Sequence, residues 1–319
     1  WYYIEDHTNF FSQKSALKRV QYGKPLAIVF GSATVFRLLD EPARLLECDC
    51  MMPLIHGSPG EDGVLAGVLE AMQVPYVGSN VLASAVTMAK HVTKALLHHA
   101  GIATAPWITL TTADQTWPSY EEVKMSLGSV VFIKAATQGS SVGVYKVTDK
   151  ASFTLALERS FHFSSTVIIE KAIEGREIEC SVMGNDVIDV ALPGEIVCHS
   201  DFYSYEAKYC QPEAATPISP AKLTIEESRK LQDCALQTYR LLQCLGMARV
   251  DLFLQDDGNI LVNEVNSVPG FTDISLFLKN WNASGLCTGE VLQRLITLAG
   301  EHYEHRKLLH ASAKQFDEV

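Results

Sequence analysis

The chain has 319 residues, 47% hydrophobic and 20% charged, which is apolar enough for a sizeable core and too long for one small domain. A net charge of −11 disfavours non-specific binding to nucleic acid or anionic membrane, so an anionic substrate would need local positive charge. No apolar run is long enough to span a bilayer. The eight cysteines show neither zinc-site spacing nor a disulfide framework, with Cys48-Asp49-Cys50 the only close pair, so reduced cytosolic thiols are expected.

Trp1 to Ile4 and Pro25 to Phe30 read as strands, and Met51 to Ile55 as a third that ends in His56-Gly57-Ser58-Pro59-Gly60-Glu61-Asp62-Gly63. Val64, Leu65, Val68, Leu69 and Met72 recur at helical spacing, which predicts a helix stopping before Val74-Pro75, with a short strand at Tyr76. Strand, glycine loop, helix, strand is the grammar of an open α/β sheet, where ligands collect at the strand ends. His56 and Glu61 are therefore ligand candidates, although capping and turn chemistry at a helix start accounts for them equally well. Ser84 to His99 reads as one helix ended by Gly101, with Lys90 and Lys94 four apart on a face; solvated lysines are the simplest account of that pair. Ile102 to Ser126 reads as strand, loop and helix with little chemical content.

Chemistry returns at Val130 to Lys134, followed by Gly139-Ser140-Ser141-Val142-Gly143 and a strand to Val147. Backbone N–H groups and hydroxyls in such a loop can cradle phosphate oxygens, and Lys134 would add a point charge; the pattern is neither Walker A nor GxGxxG. Val167 to Ile173 is a buried-looking strand with Glu170 and Lys171 at its end. Arg176 to Met183 alternates like a half-buried strand and turns through Gly184-Asn185 into Val187 to Leu192. After Pro193-Gly194 a long polar and aromatic loop, His199 to Pro220, reads as a lid that shuts water out. Ile225 to Leu245 is predicted as an amphipathic helix, and Val291 to Leu309 as a final one.

Between those helices, Val250 to Leu254 and Ile260 to Val265 flank Asp256-Asp257-Gly258-Asn259, a strong hairpin signal. Arg249 and Asp251 share one strand face, Glu264 and Asn266 another, and pairing can bring Asp251, Glu264 and Asn266 to one surface beside Arg249. Two carboxylates and an amide suit a hard divalent ion that shares its remaining positions with phosphate and water. A solvated acidic hairpin explains Asp256 and Asp257, but not an ionic set among Val, Leu and Phe followed by a sharp turn at Ser267 to Thr272. With the glycine–serine loop added, a phosphate-and-magnesium site is expected.

Six segments occur in order: His56 to Gly63; Lys134 with Gly139 to Gly143; Glu174-Gly175-Arg176-Glu177-Ile178-Glu179-Cys180; Tyr205-Glu206-Ala207-Lys208-Tyr209; Arg249-Val250-Asp251; and Asn263-Glu264-Val265-Asn266 with Pro269-Gly270-Phe271-Thr272. Together they resemble the D-alanine–D-alanine ligase family of the ATP-grasp superfamily over His56 to Ser275. Each is modest alone, and six in register are specific. The resemblance implies an α/β (α+β), three-lobed ATP-grasp fold. Its N-terminal open α/β (preATP-grasp) lobe would span 1–86, a central lobe 87–172, and a C-terminal lobe 173–319 with a lid at 199–220.

ATP is then expected between the last two lobes, with Lys90, Lys134, Ser140 and Ser141 on phosphates. Glu170, Lys171 and Ile173 would meet the adenine edge, Glu177 the ribose, Phe202 the base, and Lys208 would approach the phosphates. Asp251, Glu264 and Asn266 would hold two Mg²⁺ (or Mn²⁺), Glu264 bridging. Arg249 and the Gly270 N–H are similar to the family's oxyanion donors. Ser140, Tyr209 and Ser275 would orient two D-alanines, with His56 near the acceptor site and Glu61, Ser275 and Leu276 also binding substrate. The implied activity joins two D-alanines through a D-alanyl phosphate for peptidoglycan precursors, in a cytoplasmic homodimer assembled through the N-terminal lobe, with no nucleic-acid or membrane partner.

Two departures stand out. The family opens with a strand, a glycine turn and a D-alanine-binding glutamate, which residues 1–55 do not supply; Phe30-Gly31-Ser32 resembles the turn only superficially, and an earlier segment is expected. Ala89 stands where the family has aspartate. Two other readings compete. D-serine or D-lactate as acceptor is opposed by Tyr209, since such relatives replace the tyrosine of the Lys-Tyr pair. A non-catalytic ATP-binding regulatory module is opposed by the metal set, Arg249 and Gly270, though fold alone does not exclude it.

Overall fold

The computed structural model describes residues 2–4, 23–29, 34–198, 215–272 and 274–316. The chain forms two compact units, one of Trp1–Met52, Gly67–Tyr76 and Ala299–Val319, the other of Pro53–Ala66 and Val77–Leu298.

In the first unit β1 (Tyr2–Tyr3), β2 (Lys24–Ile28), β3 (Thr34–Leu38) and β4 (Leu45–Glu47) form an antiparallel sheet in that order. The strands expected at Met51 to Ile55 and at Tyr76 shrink to one parallel bridge between Met51 and Tyr76. Pro53 and Pro75 flank the bridge and lack the N–H that a longer ladder needs. The crossover between the bridged residues is helical as predicted, by α1 (Val64–Ala71), which runs from one unit into the other. Leu38, Leu69, Met72 and Val74 are buried in this unit. Tyr76 Oη donates to Glu70 Oε1 at 2.9 Å, and Arg306 Nη1 lies 3.4 Å from Glu70 Oε2.

The second unit begins with α2 (Val81–Met88) and α3 (Lys90–His99), where one continuous helix was expected. Ala89 breaks the run with φ −82° and ψ 82°, and the Lys90 N–H donates to Ala136 O at 2.9 Å rather than along the helix. Thr93 Oγ1 donates to Val86 O at 2.6 Å across the break. Next comes an antiparallel sheet ordered β5-β8-β6-β7, from β5 (Trp107–Thr111), β6 (Val131–Ala135), β7 (Val144–Val147) and β8 (Thr166–Lys171). Helices α4 (Tyr120–Leu127) and α5 (Lys150–Phe161) bury Val123, Leu127, Phe153 and Leu157 against Val131, Ile133, Val167 and Ile169. Since alternate residues of β6 enter that core, Phe132 and Lys134 look the other way. Helix α5 was not anticipated, although Asp149 and Ser152 form a capping box at its start.

The remaining sheet holds β9 (Arg176–Gly184), β10 (Ile188–Val190), β11 (Gly194–Cys198), β12 (Ala215–Ile218), β13 (Gly246–Leu254) and β14 (Ile260–Asn266). Its order is β12-β11-β9-β13-β14, with β10 on β9, and every pairing is antiparallel. Helix α6 (Ile225–Leu241) packs Leu231, Ala235 and Tyr239 on Ile178, Val182, Val250 and Leu252. Cys180, Cys234 and Cys244 belong to the same core. Burial pushes the Cys234 thiol up to about 11 and Cys244 to about 12, and raises Cys180 well above the ordinary thiol value.

The tail of the expected lid is not loop, since 215–218 pairs with β11 as an edge strand, where Pro217 costs no ladder bond. Residues 199–214 of that lid lie outside the described residues. Helix α6 stops short of the expected Leu245 because Gln243 and Gly246 take positive φ, 56° and 67°. Two helices close the chain: α7 (Leu276–Ala283), which was not anticipated, and α8 (Thr288–Phe316), longer than predicted. No helix among the described residues is long and apolar enough to cross a membrane.

Ala89 is the N-cap of α3 and makes no side-chain capping bond. Ala89→Asp supplies the missing acceptor and should raise the unfolding free energy by about 1 kcal/mol in denaturant titration. An unchanged midpoint would show that the α3 amides already have their partners.

Candidate active site

Strand β13 runs between β9 and β14, and its register decides what faces outward. Asp251 lies opposite Glu179 on one side and Glu264 on the other, while Arg249 lies opposite Ser181 and Asn266. Three carboxylates thus stand abreast on neighbouring strands. Arg249 donates from Nε to Asp251 Oδ1 and from Nη2 to Oδ2, both at 2.7 Å, and its Nε is 3.2 Å from Glu179 Oε2. Burial opposes the guanidinium charge, but Asp251 and Glu179 outweigh it and hold Arg249 protonated well beyond the ordinary arginine range. Asn266 Nδ2 donates to Asp251 Oδ2 at 3.0 Å. The four residues read from the hairpin do share one surface.

Carboxylates directly opposite one another repel unless cations sit among them. Arg249 supplies one such cation, and Lys90 Nζ lies 3.3 Å from Glu264 Oε2. Among the described residues no three His, Cys, Asp or Glu side chains converge as a ready-made metal cage. The all-oxygen set fits a hard divalent ion that completes its shell from phosphate rather than a closed structural site.

Of this surface, Glu264 reaches the wall of a cleft of about 900 Å³. Phe253, Asn263, Glu264, Glu177 and Ile196 come from the C-terminal sheet, and Phe132, Lys134 and Glu170 to Ile173 from the central one. Lys90 Nζ donates to Gln138 O at 2.7 Å, so a single lysine touches both the glycine–serine loop and the hairpin. Lys134 Nζ is 2.5 Å from Glu170 Oε2 and donates to Asn263 Oδ1 at 3.4 Å. Burial disfavours its ammonium, yet Glu170, Glu264 and Glu177 raise its pKa overall. Ser140 and Ser141 adopt left-handed φ of 52° and 60°. Such strain costs roughly 1–3 kcal/mol per residue and clusters at ligand clamps.

Glu61, 3% exposed, closes the loop after His56. It accepts from the Gly57 N–H at 2.6 Å and from the Val268 N–H at 3.0 Å. His56 Nδ1 lies 3.1 Å from both Glu61 Oε2 and Val268 O; both neighbours are acceptors, so the proton sits on Nδ1. Glu61 raises the His56 pKa, against burial and the nearby Arg249. Turn chemistry and site placement are therefore not alternatives here, because the carboxylate that closes the loop also holds the imidazole. Beyond the hairpin, a Cβ on Gly270 would stand 2.7 Å from Ser275 Oγ, so a side chain there would displace that hydroxyl. Ser275 Oγ accepts from the Thr272 N–H at 3.1 Å, and Leu276 behind it is buried.

Of the residues expected at the site, Phe202, Lys208 and Tyr209 lie outside the described residues. Lys90, Lys134, Ser141, Glu170, Lys171, Ile173, Glu177 and Glu264 line the cleft together. The solvated reading of Lys94 is overturned: it is 1% exposed, with Nζ 2.6 Å from Glu170 Oε1. Phe132, Phe253 and Asn263 line the cleft unanticipated. Period-two alternation through Lys134 and Asp251 carried the signal for both phenylalanines.

Two antiparallel sheets closing on a cleft, with lysines on one wall and Glu177, Asn263 and Glu264 on the other, define an ATP-grasp enzyme. The chain matches the family model described as D-ala D-ala ligase C-terminus over residues 96–297, and that of D-ala D-ala ligase N-terminus over residues 1–79. It is 48% identical over 255 residues to D-alanine–D-alanine ligase A of Escherichia coli O6:H1, covering 80% of this chain and 70% of that one. It is 43% identical over 309 residues to the D-alanine–D-alanine ligase of Proteus mirabilis, covering 96% and 84%. Among solved structures, the D-alanine–D-alanine ligase of Coxiella burnetii superposes with a TM-score of 0.87 at 34% identity, covering 100% of this chain and 86% of that one. The VanG D-Ala:D-Ser ligase of Enterococcus faecalis gives 0.81 at 31%, covering 94% and 86%.

The chain belongs to the D-alanine–D-alanine ligase family. It is an ATP-dependent carboxylate–amine ligase of peptidoglycan synthesis, in a family that uses ATP with Mg²⁺ or Mn²⁺.

In an NMR titration His56 should lose its proton above the ordinary histidine value of about 6.5, and Glu61→Gln should bring the midpoint down. Stability from this pair is fully present below the unfolded value and is lost as pH rises through the raised folded value. Equal midpoints in the two proteins would rule out Glu61 as the cause.

Proposed function

We propose that D-alanyl phosphate is formed and consumed within this one cleft, on the residues described above. The observation that carries this reading is the register of β13, which puts Arg249 and Asp251 beside Glu264, itself 3.3 Å from Lys90 and on the cleft that Lys134 lines. A carboxylate and a γ-phosphate are both anionic, so transfer between them needs their charge neutralised first. Lys90, Lys134 and the Ser140-Ser141 loop would take phosphate oxygens. Phe132 and Phe253 would flank the base, with Glu170, Lys171 and Ile173 at its edge, Glu177 on the ribose, Phe202 over the base and Lys208 near the phosphates. Asp251, Glu264 and Asn266 would hold two Mg²⁺ (or Mn²⁺), Glu264 shared, and the ions would supply further charge neutralisation.

The first D-alanine carboxylate attacks the γ-phosphorus and ADP leaves. The amine of the second D-alanine then attacks the activated carbonyl, and phosphate leaves. Arg249 and the Gly270 N–H would stabilise the tetrahedral oxyanion between these events. Ser140, Tyr209 and Ser275 would orient the substrates, with His56, Glu61 and the start of α7 at Leu276 on the acceptor side. An acylphosphate hydrolyses in water, which would give a lid over 199–214 its purpose. We assign the lobes to 1–86, 87–172 and 173–319, and the assembly to a cytoplasmic homodimer joined through the first.

The test is phosphate release from Mg-ATP with D-alanine alone, then with D-serine or D-lactate added, products weighed by mass spectrometry. D-Ala–D-Ala alone is expected. Preference for D-serine would move the chain to the acceptor of its VanG likeness, and bound ATP without turnover would leave a silent relative. Asp251→Asn and Glu264→Gln should each abolish ADP formation, and full ADP production in either removes the metal assignment. Arg249→Met should lower kcat by about a hundredfold, the usual worth of an oxyanion donor; an unchanged kcat removes Arg249 from that role.

A further inference from the structure

Lys94 is buried in α3 and satisfied on every side. Its Nζ donates to Thr104 Oγ1 at 2.7 Å and to Ala105 O at 3.0 Å, and lies 2.6 Å from Glu170 Oε1. The other oxygen of Glu170 is 2.5 Å from Lys134 Nζ, which also donates to Asn263 Oδ1. Thr104 Oγ1 in turn donates to Val262 O at 2.9 Å, one residue before that asparagine. The contacts therefore close a ring: out from β14 at Val262, through Thr104, Lys94, Glu170 and Lys134, and back to β14 at Asn263. The ring joins both walls of the cleft.

Stability alone does not explain this arrangement. A buried ion set is on average no more stabilising than apolar residues of the same volume. Charge accounting suggests another purpose. Lys134 and Glu170 alone would be a neutral pair, and Lys134 would bring no net charge to an anion. With Lys94 on the second oxygen, two ammonium groups share one carboxylate, and Glu170 offsets less of the charge on Lys134. The charge lies toward the cleft, because Lys94 is walled in while Lys134 lines the opening.

We propose that Lys94 is a positioning residue of the nucleotide site: it holds Glu170 by its second oxygen, so that Glu170 offsets less of the Lys134 charge offered to the nucleotide phosphates. This rests on the reading of Lys134 as a phosphate ligand. In the full chain, Lys94→Met should raise the KM for ATP by about tenfold, the worth of one charge-assisted hydrogen bond, and leave the KM for D-alanine unchanged. Lys134→Met should raise the KM for ATP further, and Lys94→Met/Lys134→Met should be no worse than Lys134→Met.

Additive losses, or equal shifts in both KM values, would make Lys94 a purely structural residue and overturn the proposal. An unchanged KM for ATP in Lys134→Met would instead overturn the phosphate-ligand reading beneath it. Where Lys94→Met does not fold, Thr104→Val decides the matter. Removing that acceptor should raise the KM for ATP about threefold without touching that for D-alanine, and no change would refute the ring.

Discussion

Like charges laid side by side on neighbouring strands repel, and this fold sets Glu179, Asp251 and Glu264 in a single row. A one-residue slip of β13 would turn Asp251 and Arg249 into the core and bring Val250 and Leu252 out. The apolar face of β13, pressed on α6 through Val250 and Leu252, forbids that slip. Hydrophobic packing on one side of the sheet thereby holds an electrostatically unfavourable pattern on the other. That pattern is useful because it is unfavourable, since it draws cations.

The cations come from several directions. Arg249 stands two residues along β13 from the row and bonds to Asp251, Lys90 arrives from the helix break, and Lys134 from the opposite sheet, tethered by Asn263. The break at Ala89 is part of this geometry. By giving the Lys90 N–H to Ala136, it fixes the start of α3 against the strand that leads into the glycine–serine loop. Loop, helix and hairpin then share one lysine, and a shift in any of them is felt by the other two.

How much of this was legible in the chain depends on how local each cause is. The hairpin was, because Asp-Gly and two-residue alternation are written within some twenty positions, and so was the common face of Arg249, Asp251, Glu264 and Asn266. The helix break was not, because the acceptor that wins the Lys90 N–H belongs to a distant strand. Burial of Lys94 was invisible for the same reason: four-residue spacing cannot distinguish a solvated lysine from one with partners at Thr104, Ala105 and Glu170. Strand β12 was hidden inside a polar stretch, since its identity comes from pairing with β11 and not from its own composition. The carboxylate row was half legible. Its Asp251 and Glu264 could be read, whereas Glu179 joins only through the β9 register.

The C-terminal core also has a chemical character of its own. Oxidants, alkylating agents and soft metals act on the thiolate, and Cys180, Cys234 and Cys244 are all held in the protonated form by their surroundings. While the sheet and α6 stay together, the buried Cys180 and Cys244 are shielded from such reagents. Once they part, both appear as ordinary thiols. Thiol capture at Cys180 and Cys244 therefore reports how often the sheet behind the carboxylate row comes apart.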